Sequence, residues 1–207
     1  MHRRDLLIVA AAMPWPAWAD NEQDVAARLA AGGAVIAFRH ALAPGVYDPP
    51  GFRVNECGTQ RNLNDEGRAQ AQRIGEWFTR RGLSPAAVRS SPWCRCLDTA
   101  RLAFGRAEPW AALGSPRVGT EETNQAALSE LRRALAAATA QPGRFEAWVT
   151  HQFVLSAFVG NSIASGEGLV PHCGARRQTA DRRPPGNLTA RACQSPRFVG
   201  SFLVGDP

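Results

Sequence analysis

Three short stretches hold the side chains that could do chemistry. Ala34-Val-Ile-Ala-Phe-Arg39-His40 is an apolar run that ends abruptly in arginine and histidine; Ser90-Ser91 is followed four residues on by Arg95; Ala147-Trp-Val-Thr150 runs into His151. An imidazole offers a lone pair or a proton, and a guanidinium offers a planar fork of donors that suits an oxyanion. Two of each in one place would make a site for an anion beside a reactive nitrogen. Scattered, they would be ordinary loop residues, and an Arg-His pair after a strand is by itself at home in a loop. The elements that carry them therefore decide the reading.

Runs of small and β-branched apolar residues suit strands buried on both faces, which belong to parallel sheets covered by helices. Between them the sequence predicts helices. Asn21 to Ala31 carries Val25, Ala26 and Leu29 on one side and stops at Gly32-Gly33. Asn64 can cap a helix from Asp65 to about Arg80, with Asp65 and Glu66 at the positive end of its dipole and Ala71, Ile74, Trp77 and Phe78 as its apolar face. Val88 to Ser91 reads as a strand and Trp93 to Phe104 as a helix. A short strand is expected near Trp110 to Leu113, an alanine-rich helix from Glu121 to Ala138, and a further helix from Gln152 to Val159. Strands alternating with helices predict an α/β fold, a three-layer α/β/α sandwich with a mostly parallel central sheet. Parallel strands put Arg39-His40, Ser90-Ser91 with Arg95, and Thr150-His151 on one edge, where open α/β sheets bind ligands.

At 207 residues the chain suits one domain. Residues 1–19 read as a signal peptide: a basic His2-Arg3-Arg4, an apolar Leu6 to Met13, and Ala17-Trp18-Ala19 before Asp20 as a cleavage signal. Arg3-Arg4-Asp5-Leu6-Leu7 partly resembles a twin-arginine signal. The expected address is periplasmic or secreted, and the apolar run is too short to leave a membrane span in the mature protein. The globular domain is assigned to residues 20–170. Residues 171–207, basic and rich in Pro and Gly, read as an atypical tail, either disordered or out of its original reading frame, and no final strand is expected there.

All 24 basic side chains are arginine. Residues 20–170 carry 16 Arg against 15 Asp and Glu, so the high pI comes from the two ends and gives little support to a nucleic-acid surface. Of the five cysteines, Cys57 could form a disulfide with either Cys94 or Cys96 in an oxidising compartment. Cys94-x-Cys96 without a second ligand pair is a poor zinc signal, and no metal or cofactor is expected. The stretch from Ala41 to Asn62, with Pro44, Gly45, Pro49, Pro50 and Gly51, is long for a connection inside a compact domain, which marks it as functional or mobile.

Four motifs in this order, Phe38-Arg39-His40-Ala41, Leu63-Asn-Asp-Glu-Gly67-Arg-Ala-Gln70-Ala71, Ser90-Ser91-Pro-Trp-Cys-Arg95-Cys-Leu-Asp-Thr99-Ala100 and Val149-Thr150-His151-Gln152, resemble the histidine phosphatase superfamily, also called phosphoglycerate mutase-like. The resemblance spans roughly residues 34–170. It implies that His40 is a nucleophile forming a phosphohistidine and that Arg39, Arg95 and His151 hold the phosphoryl group, with Arg61 as a further contact or else a solvated loop arginine. A neutral imidazole can take the phosphoryl group covalently and split one displacement into two, and guanidiniums nearby disfavour its protonated form. Such a site needs no metal. The resemblance places the acid that protonates the leaving group near Glu121 or Glu122, which would otherwise be helix-dipole residues, with Glu167 as the other candidate. Gln152 stands where one branch of the family has aspartate, and Ala41 where glycine is common.

The implied activity is that of an exported phosphatase acting on a small phosphorylated substrate, with a phosphorylated sugar as the nearest analogy. The alternative is a non-catalytic phosphate-binding protein of the same fold, inactivated by its altered carboxyl end.

Overall fold

The computed structural model describes residues 17–115, 121–159, 162–172 and 197–202. Cys173 and Cys193 fall outside them, as do most of the signal segment and of the tail. The helices are α1 (Ala17–Ala31), α2 (Asp65–Arg80), α3 (Cys94–Phe104), α4 (Glu121–Thr139) and α5 (Gln152–Val159). The strands are β1 (Ala34–Arg39), β2 (Ala87–Ser90), β3 (Glu108–Pro109), β4 (Phe145–Thr150), β5 (Gly168–His172) and β6 (Arg197–Phe202). They form one sheet in the order β3-β2-β4-β1-β5-β6. The four on the β1 side run parallel, whereas β5 is antiparallel to β1 and β6 antiparallel to β5.

Alternation along β1 divides the core into two halves. Ala34, Ile36 and Phe38 face one layer with Val25 and Leu29 of α1, Ile74, Trp77 and Phe78 of α2, and Cys96 and Ala100 of α3. Val35 and Ala37 face the other, with Leu131, Leu135 and Ala138 of α4 and Val154 and Leu155 of α5. A strand with both faces covered must be apolar at every position, which is why β1 reads as an unbroken run. The result is the expected α/β/α sandwich.

Several local expectations differ. The first helix starts at Ala17, so the Ala19-Asp20 cleavage point lies in its first turn. Residues Ala111–Leu113 form a 3-10 turn, and the short strand precedes them at Glu108–Pro109. The sheet does not stop at Val170: β5 continues to His172, and β6 adds a strand from the tail. In β5 Pro171 interrupts the apolar run, and the pairing absorbs it in an irregularity between Leu169 and Pro171; β6 lies in the basic Pro- and Gly-rich tail, whose composition argues against a strand. Among the described residues no helix is long and apolar enough to cross a membrane.

Candidate active site

Backbone register places the three strand ends level. Arg39 pairs with Thr150 and Ser90 with Val149, and the ladder extends one step further through His40 N–H to Thr150 O (2.9 Å) and Ser91 N–H to Val149 O (2.8 Å). His40 and His151 thus emerge side by side at the carboxyl edge, their rings edge to face with centroids 5.6 Å apart. Both are buried, at 2% and 3% exposure.

The segment after His40 is fixed by α2 and α3. Ala41 N–H donates to Thr99 Oγ1 (3.0 Å), and Thr99 in turn donates to Arg95 O (2.7 Å). Leu42 N–H donates to Gln70 Oε1, and Gln70 Nε2 reaches Ser165 O, both at 2.9 Å. Asn64 caps α2 by accepting the Gly67 N–H at 2.8 Å. A Cβ on Gly67 would stand 1.9 Å from the Leu42 carbonyl oxygen. The motif from Leu63 to Ala71 therefore has a structural content: cap, close approach and hydrogen bond that seat α2 against the chain leaving His40.

His40 Nδ1 lies 2.7 Å from Ala41 O. A carbonyl only accepts, so Nδ1 carries the proton and Nε2 keeps its lone pair. Burial, followed by the charges of Arg95, Arg61 and Arg39, depresses the pKa of His40 to about 3 against the opposing pull of the Ala41 carbonyl. Burial outweighs the arginines as a cause; the sequence reading named only the latter. His151 is also held well below its ordinary value, by burial and then by Arg95, His40, Arg61 and Arg39. Its Nδ1 lies 3.4 Å from Arg95 Nη2 and its Nε2 2.8 Å from Ser91 Oγ. Arginine only donates, so His151 is a neutral ring whose Nε2–H is donated to Ser91.

Arg39 anchors Nη1 on Ile163 O (2.6 Å), and Arg61 anchors Nη1 on Ala43 O. The Nε atoms of Arg39, Arg61 and Arg95 are buried with no hydrogen-bond partner. Burial and Arg95 lower the pKa values of both Arg39 and Arg61, so Arg61 belongs with this group and is not a solvated loop arginine. Three guanidiniums close enough to repel one another, each with an unused buried donor, form a cationic cluster that an anion would complete.

Arg95 is held from the other side by the loop between β1 and α2. Its Nη1 donates to Asp48 Oδ1 (2.8 Å) and lies 3.4 Å from Arg61 O. Cys57 and Cys94 form a disulfide, and Cys94 N–H donates to Gln60 Oε1 (3.0 Å). Cys96 is the free member of the Cys94-x-Cys96 pair among the described residues. Two residues further along the helix it points away from the loop, with Sγ 3.6 Å from Thr150 O and from His151 Nε2. Burial pushes its thiol up to about 12, so it is no rival nucleophile.

Of the predicted acids, Glu167 Oε2 accepts the Ala164 N–H (2.8 Å) within its own turn. Glu121 and Glu122 open α4, but their side chains lie outside the described residues. Asp48 was missed in the sequence. The one cue to it was its place among prolines in a loop too long to be idle. Among the described residues no three His, Cys, Asp or Glu side chains cluster as metal ligands.

The sequence model of the histidine phosphatase superfamily (branch 1) matches residues 53–115, which include Arg61 and Arg95 but neither histidine. No curated protein sequence matches the chain. Among solved structures, phosphoserine phosphatase from Entamoeba histolytica is similar in two forms. A variant in complex with phosphoserine is 11% identical, covers 83% of this chain and 97% of its own, and has a TM-score of 0.53. The form in complex with 3-phosphoglyceric acid is 11% identical, covers 81% and 95%, and has a TM-score of 0.52. The protein histidine phosphatase SixA complexed with tungstate is 13% identical, covers 83% and 97%, and has a TM-score of 0.49. For the two phosphoserine phosphatase forms, at these identities, the likeness is one of fold.

Proposed function

We propose, on the premise that the chain belongs to the histidine phosphatase superfamily, that it hydrolyses phosphomonoesters through a phosphohistidine on His40. One observation carries the reading: a neutral, buried imidazole whose Nδ1–H is tied to a carbonyl sits within the field of three arginines that have unused buried donors. In the first step the Nε2 lone pair attacks phosphorus, the N–P bond forms and the P–O bond to the leaving group breaks. Arg39, Arg61 and Arg95 take the negative charge of the phosphoryl oxygens. A dianion beside His151 favours its protonation at Nδ1, which turns that ring into a further donor while Ser91 keeps the Nε2–H. Water then attacks the phosphohistidine, a P–O bond forms as the N–P bond breaks, a proton of the water returns to the group that gave one up in the first step, and His40 regains its lone pair as orthophosphate leaves. The leaving oxygen takes a proton in the first step, and Glu121 and Glu122 are the candidates to supply it.

The signal-like amino end together with the disulfide supports an exported enzyme in an oxidising compartment. The substrate class is a small phosphorylated molecule, a phosphorylated sugar by analogy. Incubating the protein with a labelled generic phosphomonoester is expected to trap an acid-labile, base-stable adduct and to release orthophosphate. His40→Asn is expected to abolish both. Undiminished turnover in that variant would overturn the mechanism, and phosphate binding without adduct or product would favour the non-catalytic binding protein. Sequencing the amino end of the exported protein checks the address, which an intact Met1 would refute.

A further inference from the structure

Asp48 is a buried carboxylate inside an anion site, and two opposite roles are open to it. It could occupy the place of the substrate phosphate and compete with it, or it could hold the arginine that binds the phosphate. Geometry separates them. The Arg95 and Asp48 side chains are 5% and 9% exposed. Asp48 Oδ1 takes Nη1 of Arg95, the nitrogen at the end of the guanidinium, and also accepts the Arg61 N–H at 3.0 Å. The side edge of the same guanidinium is left open: Nε has no partner, and Nη2 has only the 3.4 Å approach to His151 Nδ1. A guanidinium can serve two oxyanions at once, one at its end and one along its side, because its donors lie in a rigid plane. Burial acts to raise the Asp48 pKa, but the Arg61 N–H and Arg95 outweigh it and keep the carboxyl below the usual range, so the clamp is ionised.

We propose that Asp48 is a positioning residue for the phosphate site: by clamping Nη1 of Arg95 and the backbone of Arg61, it presents the Nε–Nη2 edge of Arg95 to the phosphoryl group. The loop that brings Asp48 is itself fastened one residue from Arg95, by the Cys57–Cys94 disulfide and by Gln60 on Cys94 N–H. Clamp and fastening thus act on the same helical turn. Asp48 touches neither the reacting nitrogen nor the phosphorus, so it acts on binding more than on the chemical step.

The proposal rests on the phosphate reading, and the experiment separates the two. Orthophosphate affinity is measured by calorimetry on the intact oxidised protein, with KM and kcat for an aryl phosphate, for the wild type, Asp48→Asn and Asp48→Glu. Asp48→Asn is expected to weaken orthophosphate binding and raise KM by about tenfold or more, with a smaller change in kcat. Asp48→Glu keeps the charge and is expected to recover part of the loss; it also serves if the amide variant does not fold. Unchanged phosphate binding in Asp48→Asn would overturn the proposal, and tighter binding would in addition identify the carboxylate as a competitor. A loss in Asp48→Glu as large as in Asp48→Asn would also count against a charged clamp. A wild type that binds no orthophosphate would instead sink the phosphate reading itself.

Discussion

The two walls of the site are built on different principles. The sheet wall, which carries Arg39, His40, Ser91 and His151, is placed by backbone register: three parallel strands end level, and the ladder bonds run on to His40 and Ser91. The loop wall, residues 41–62, has no such ladder. It reaches Arg95 through side chains: a disulfide, a glutamine on a helix N–H and one ion pair. The proposed nucleophile His40 is thus fixed by structure that spans the core, and Arg95, one of the three arginines proposed to bind phosphate, by fastenings that chemistry can undo. A reaction needs its nucleophile rigid, whereas a binding loop can be tuned separately.

The strongest way to break the comparison is to cut the fastening. Replacing Cys57 and Cys94 by serine opens a loop with a sequence separation of 37 and is expected to cost about 3–4 kcal/mol of stability by the chain-entropy account. Chemical denaturation of oxidised and reduced protein measures it. The loss of phosphate affinity should exceed the loss of kcat; an equal fall in both would mean that the loop also holds the nucleophile. Next comes the contact that seats the junction of the two walls, where the chain leaves His40. Gly67→Ala pushes a Cβ into the Leu42 carbonyl, and backbone cannot yield as a side-chain tip can. The clash should outweigh the better helix propensity of alanine, for a net loss of about 2–3 kcal/mol in denaturation experiments. Here kcat should suffer, because Leu42 lies two residues beyond His40.

Acidity sharpens the contrast further. His40 and His151 have depressed pKa values in the folded protein, so the unfolded chain takes up protons first. The stability this neutrality allows is fully present above pH 6.5 and is lost as pH falls from there, for His40 toward about 3. Each ring contributes a slope of about 1.4 kcal/mol per pH unit in that window. Comparing His40→Asn with the wild type between pH 6.5 and 5 should remove one ring's share. Asp48, whose pKa is lowered, loses its contribution only below the ordinary carboxylate range, so it stays out of that window. The smallest effect is expected at Ser91→Ala, which leaves the His151 Nε2–H without its acceptor at a cost of about 1 kcal/mol. The pH profile of kcat should shift with it, since the His151 ring loses the acceptor that supports its Nε2–H in both the neutral and the protonated form; an unmoved profile would leave Ser91 a packing role only.

The sheet wall was legible because its physics is local. An apolar run with Arg-His at its end is a doubly covered strand reaching the carboxyl edge of the sheet, and the caps, glycines and apolar faces of α2 and α3 repeat at helical spacing. The loop wall was not legible in the same way. Its length marked it as functional, yet nothing near Asp48 pointed to an arginine 47 residues away, and Cys94 and Cys96 were equal candidates for Cys57. The helix decided between them, since residues two apart face opposite ways: Cys94 toward the loop and Cys96 toward His151. β5 runs past Val170 because antiparallel pairing tolerates the Pro171 irregularity, and β6 lies in a tail whose composition argues against a strand.

By itself the sequence determined the layered fold, the edge on which the site lies and the residue types there, since burial on two faces and helical periodicity are written in consecutive residues. Tertiary structure alone decided which nitrogen of His40 is free, which cysteine closes the loop and which carboxylate holds Arg95. Each of those depends on groups far apart in the chain brought within hydrogen-bonding distance, at separations where sequence carries no geometric signal.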